Sequence, residues 1–166
     1  MAARGFNIFE EGHVVQILSP GSISGGVTST YFNLKTAAKA NILINIGALA
    51  AAEGALTLLA ASNNAGAGAT AIPFTYYTKS TTGNAADTLD LVTGPSAANS
   101  ATAAGFTPAN TANTFVGIVI EEDQLPAGLN YLAIAFADGT NADYVAASAI
   151  LTGLDYPGSQ QPSATT

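Results

Sequence analysis

Residues 40–46 read Ala-Asn-Ile-Leu-Ile-Asn-Ile, and their alternation is strict. Asn41, Leu43 and Asn45 point one way, and Ile42, Ile44 and Ile46 the other. A period of two is the signature of a strand with one face against a core. The same signal recurs. His13–Leu18 is a short β-branched run before the turn signal Ser19-Pro20-Gly21. Thr28–Leu34, Ile72–Thr78, Thr88–Val92 and Ala142–Leu151 read as further strands. Residues 48–61 are ambiguous: Ala and Leu favour helix, but Gly54 interrupts, so a loop and then a strand over about 54–61 is expected. Thr114–Glu121 and Leu129–Ala137 look like a pair joined through Asp123–Gly128. In the second, Leu132, Ile134 and Phe136 share one large apolar face. No helix has a convincing cap. Eight or nine strands with turn chemistry between them predict an all-β antiparallel two-sheet sandwich, jelly-roll-like, with an extended N-terminal arm. The domain reading is an arm over 1–12, a sandwich over 13–156 and a flexible polar tail over 157–166.

Charge narrows the function. Arg4, Lys35, Lys39 and Lys79 are the only bases, and residues 80–166 hold eight acids with no Lys, Arg or His. Four bases against three acids leave residues 1–79 at +1, and residues 80–166 stand at −8. Half the chain thus lacks the side chains that grip phosphate or serve as a cationic base, which argues against a nucleic-acid partner and most enzymes. Charged residues make up 9% of the chain, against roughly 25% in ordinary domains. Residues 54–78 and 91–120 carry none. Long uncharged stretches suggest surface that a neighbour covers. There is no Cys, hence no disulfide framework. No signal peptide is visible, and the apolar run Ala40–Ala52 is too short and polar to span a bilayer, so no membrane partner is expected.

Chemical motifs are scarce. His13 is the single His; beside Glu10 and Glu11 it makes no metal motif and reads as a structural or surface residue. Glu121-Glu122-Asp123 could hold Ca²⁺ with Asp138 or Asp143, but it lacks EF-hand spacing and reads as a solvated loop at a strand end. Asp87 and Asp90 could be paired glycosidase carboxylates, yet there is no Trp to line a sugar cleft. Gly-x-Ser-x-Gly is absent. The Ser62–Ala71 stretch lacks the Lys-Ser/Thr of a phosphate loop and reads as a flexible surface turn. No catalytic residue, metal or cofactor is expected. The candidates are contact residues: Phe6, Ile8 and Phe9 on the arm, Tyr76 and Tyr77 on alternate faces of a strand, and Phe106 in the long 93–112 connection.

Four segments carry a resemblance. They are Tyr31-Phe32-Asn33-Leu34-Lys35; Ile72-Pro73-Phe74-Thr75-Tyr76-Tyr77; Val116-Gly117-Ile118-Val119-Ile120 followed by Leu125-Pro126-Ala127-Gly128; and Ala149-Ile150-Leu151-Thr152-Gly153-Leu154-Asp155-Tyr156-Pro157-Gly158. In this order the chain, from about residue 8 to 158, resembles the β-sandwich head decoration, or cement, proteins of tailed bacteriophages. The resemblance implies a non-enzymatic virion protein on the outer surface of the capsid. Its partners would be the major capsid protein and itself, a trimer being favoured over a dimer. A tail or fibre component, or a cell-surface module recognising a receptor or glycan, is the alternative. It would be expected to expose aromatic side chains at loop tips.

Overall fold

The computed structural model describes residues 7–47, 54–80, 100–108, 114–138, 144–155 and 162–165. The expected strand Thr88–Val92, and Phe6, Asp87, Asp90 and Asp143, lie outside the described residues. One helical turn, α1 (Ile8–Glu11), precedes eleven strands: β1 (His13–Ser22), β2 (Val27–Thr28), β3 (Phe32–Asn33), β4 (Ala37–Ile46), β5 (Leu56–Ala61), β6 (Thr70–Ile72), β7 (Phe74–Ser80), β8 (Ser100–Ala101), β9 (Thr114–Glu121), β10 (Tyr131–Phe136) and β11 (Tyr144–Leu154).

The strands form two antiparallel sheets packed face to face. The larger runs β1-β11-β4-β9-β7-β8, and the smaller runs β2-β10-β5-β6, with β3 also on β10. Setting aside β3, β7 and β8, eight strands remain. The first, eighth, third and sixth then form one sheet, and the second, seventh, fourth and fifth the other. That is the order of a jelly roll. Strands β7 and β8 extend its larger sheet by two.

Alternation explains the core. From the larger sheet, Ile42, Ile44, Ile46, Val116, Ile118, Ile120 and Leu151 point inward and are buried. Phe32, Leu34, Leu56, Leu58, Leu132, Ile134 and Phe136 meet them from the smaller sheet. Ala147 and Ala149 sit opposite Ile44 and Ile42, so small residues stand beside large ones and the layers interdigitate. Each such Leu, Ile or Phe contributes roughly 1.5–3 kcal/mol by leaving water.

Several sequence expectations change in the fold. Thr114–Glu121 and Leu129–Ala137 are not a hairpin. Strand β9 lies between β4 and β7 in the larger sheet, and β10 lies beside β5 in the smaller. Each strand turns an apolar face inward, and the two inward faces meet across the core rather than side by side. Ile72–Thr78 is not one strand either. Pro73 separates β6 from β7, and there the chain leaves the smaller sheet for the larger. A residue without an N–H suits a point where no ladder continues. Strand β1 does not stop at Ser19-Pro20-Gly21. It runs on to Ser22 through register shifts between Gln16 and Leu18 and between Leu18 and Gly21, which a proline on an edge strand allows.

The expected Thr28–Leu34 strand divides into β2 and β3, which pair with opposite ends of β10. Between them Ser29, 4% exposed, completes the ladder with its side chain. Its N–H donates to Ile134 O (2.9 Å) and its Oγ accepts from the Ile134 N–H (3.0 Å). Thr30 N–H then donates to Ile17 O in the other sheet. Ser29→Ala would leave the buried Ile134 N–H without a partner. The expected cost is about 1–3 kcal/mol, read as a lower urea midpoint at unchanged slope.

The described residues near both termini, 7–12 and 162–165, are held to the sandwich. Ile8–Glu11 coil into a helical turn against β1 and β11, with Gly12 N–H donating to Ile8 O at 3.1 Å. Within the expected flexible tail, Ala164 is 6% exposed and its carbonyl accepts from Asn33 N–H at 2.6 Å. Asn64 Nδ2 reaches Thr165 O at 3.3 Å. The 62–69 loop is likewise held from within, because Asn63 Oδ1 accepts the N–H groups of both Ala65 and Ala67 at 3.0 Å. An Asn that bonds its own following backbone makes a defined turn from a stretch whose composition suggests slack.

Candidate contact surface

The six-stranded sheet turns one face to the core and the other outward. Strand register assembles the outward face in rows. One row is Val14, Ile150, Asn41, Val119 and Thr75, running across β1, β11, β4, β9 and β7. The next is Gln16, Ser148, Leu43, Gly117 and Tyr77. Neither row holds a charged residue. Beyond them lie Ala146, Asn45, Phe115 and Lys79, and then Tyr144. Val14 is 45% exposed and Tyr144 62%, and they are the exposed large apolar residues among the described residues. Both belong to this face.

Charge lies at the Phe115 end in Lys79, and returns at the other. Thr152, Lys39 and Glu121 form the next row. Lys39 Nζ lies 3.0 Å from a Glu121 carboxylate oxygen, with the side chains 39% and 52% exposed. Such a solvated pair is worth about 0–1 kcal/mol. The pair borders an open depression of about 430 Å³ lined by Ala38, Lys39, Glu121, Glu122, Asp123, Thr152 and Gly153. The acidic run itself is a single 3-10 turn, Glu122–Gln124, held by Gln124 Oε1 accepting the Glu121 N–H at 2.9 Å. Asp138 is placed elsewhere, where its Oδ1 accepts from Gly25 N–H at 3.2 Å. Among the described residues no group of three His, Cys, Asp or Glu could hold a metal ion. His13 is half-buried at the start of β1, and its Nδ1 is buried with no hydrogen-bond partner.

The aromatic candidates divide. Tyr77 stands in the outer face beside Gly117. Tyr76 points to the core side and stacks on Phe106, with ring centroids 3.7 Å apart and planes within 5°. Phe74 adds a tilted contact with Phe106 at 6.2 Å. Phe106 also exchanges backbone hydrogen bonds with Leu56 of the smaller sheet, while β8 pairs with β7 of the larger. The 100–106 segment therefore closes one side of the sandwich, and Phe106 is not a loop-tip aromatic. Ile8 and Phe9 lie in α1. Burial raises the Tyr31 hydroxyl above its ordinary value, and its ring lies over Gly66, where a Cβ would come within 2.7 Å.

Leu43, Phe115, Val119 and Ile150 were not singled out from the sequence. Phe115, Val119 and Ile150 alternate with residues just as apolar on the core side, so their strands do not tell the two faces apart, and Leu43 lies between two Asn on the more polar face of β4. The available signal was collective. Strands apolar on both faces are expected in sheets covered on both sides.

Comparison with family models, with curated proteins and with solved structures finds no match to this chain.

Proposed function

We propose that the chain is a structural virion protein that binds the outside of a tailed-phage capsid and bridges neighbouring capsid subunits. It works by adhesion and performs no bond chemistry. The observation that carries this reading is the pair of uncharged central rows on the outer face of the larger sheet, on a protein of net charge −7. Acidic surface keeps the free protein soluble, and a neutral face is where it can be covered. The resemblance of its segment order to cement proteins is what points to a capsid as the assembly. The stretch from residue 80 onward offers no Lys or Arg for tryptic cleavage, which suits an exposed shell. A receptor-binding tail or fibre role is weakened by Phe106, which is partly buried against Tyr76.

The N-terminal segment supplies the contact with the shell in this reading. Because residues 8–11 pack on the sandwich, the deletion that tests it stops at residue 6. Particles lacking the protein would be incubated with the full chain or with residues 7–166, then pelleted. Saturable binding by the full chain is expected, with at least about tenfold weaker binding by the deletion, a difference of one or more 1.4 kcal/mol steps. Failure of the full chain to pellet with particles would sink the capsid reading. Equal binding by the deletion would remove only the arm.

A further inference from the structure

We infer that the outer face of the six-stranded sheet is a self-association surface, taking a second copy of this chain in a two-fold, sheet-to-sheet contact. This names a partner for the surface on which the proposed function rests. Four observations carry it.

The first is Gly117. It sits mid-strand in β9, with Leu43 and Tyr77 as its cross-strand neighbours. Its backbone is not among the positive-φ glycines, and a Cβ added there would meet nothing nearer than 3.9 Å. The fold therefore does not require glycine. Mid-strand glycine weakens a strand, and it often marks a place where another chain approaches closely. Gly117 leaves a notch in a row that otherwise holds Leu43 and Tyr77. A ridge beside a notch on one face is self-complementary, as a two-fold contact demands.

The second is charge. Two copies at −7 each repel unless they meet through neutral surface. The two central rows are neutral, and at their end Lys39 is already neutralised by Glu121. Lys79, opposite Phe115, lies outside those two rows. The third is area. Five strands at about 4.8 Å spacing, and about 20 Å of strand from Tyr144 to Ile150, make roughly 500 Å² in projection. Side-chain relief brings this toward the roughly 800 Å² per partner of a standard contact. The fourth is the condition of the edges. Strand β1 is bulged and carries Pro20, and β8 is two residues long. Neither edge invites strand addition, so the flat face remains. Stacked sheets would lie about 10 Å apart.

Sedimentation equilibrium of the full chain tests this, from about 0.1 to 100 μM, the range that brackets an interface of this size. The wild type should pass from 16.5 kDa to twice that mass. Leu43→Glu should weaken association at least 100-fold. Gly117→Val should weaken it at least tenfold while the monomer's thermal midpoint stays level or rises, a pairing that a purely structural glycine would not give. Thr28→Lys, on the outside of the other sheet, should change nothing. A wild type that is monomeric throughout, a trimer, or a Leu43→Glu variant that dimerises normally would each overturn the inference. Monomers that still load particles would leave the capsid reading standing, and dimers that ignore particles would do the reverse.

Discussion

Gly105→Ala is expected to destabilise the protein by about 4 kcal/mol, through one added methyl group at the surface. Gly105 has φ +79°, where an L side chain costs roughly 1–2 kcal/mol. The new Cβ would also fall 2.2 Å from Leu56 O and 2.9 Å from Leu56 C. Those are backbone atoms of a residue with no exposed area, so they cannot swing aside as a side-chain tip would. To relieve the clash, 105 and 106 must lift off β5. That breaks the hydrogen bonds Leu56 N–H to Phe106 O (2.8 Å) and Phe106 N–H to Leu56 O (3.1 Å), each worth about 1 kcal/mol. It also separates Phe106 from Tyr76, a stacked pair worth about 0.5–1.5 kcal/mol. Urea denaturation gives the total. Hydrogen exchange should show protection lost first at Leu56 and Phe106. A variant within about 0.5 kcal/mol of wild type would mean the 100–106 segment does not close the sandwich.

Phe32→Ala is expected to cost about 3–5 kcal/mol, and Phe32→Leu under about 1.5 kcal/mol. Phe32 has no exposed area, although β3 holds only two residues and pairs with β10 at Asn33–Tyr131 and Phe32–Leu132. So short a strand has little ladder of its own. The ring between the sheets is what holds it there. Removing the ring leaves a cavity bounded by β10, whose other flank is fixed by β5. A neighbour so braced collapses poorly, which places the cost high in the range. The next residue, Asn33, donates its N–H to Ala164 O, so the docked C-terminal segment should loosen with it. Against a total stability of about 5–15 kcal/mol, this variant approaches unfolding at elevated temperature. An Ala variant as stable as the Leu variant would show that the site is not packed as described.

Reading the face of each strand from the chain succeeded where alternation was unambiguous. Ile42, Ile44 and Ile46 against Asn41 and Asn45 settled β4, and Leu132, Ile134 and Phe136 settled the inward face of β10. It was silent on the contact surface for the same reason. In Thr-Phe-Val-Gly-Ile-Val-Ile-Glu the inward Val116, Ile118 and Ile120 are no more apolar than the outward Phe115 and Val119. Tyr76 and Tyr77 were rightly put on opposite faces, but their alternation does not show that Phe106 covers the first.

Period-two patterning is local chemistry, so the residues alone specified strands, an all-β class and the scarcity of charge. Which sheet each strand joins depends on contacts between residues far apart in the chain. Asn33 bonding Ala164, Phe106 bonding Leu56, and β9 and β10 facing each other across the core are all of this kind. Their free energy comes from burying surface that neither segment can bury alone. It is legible only when both segments are in place.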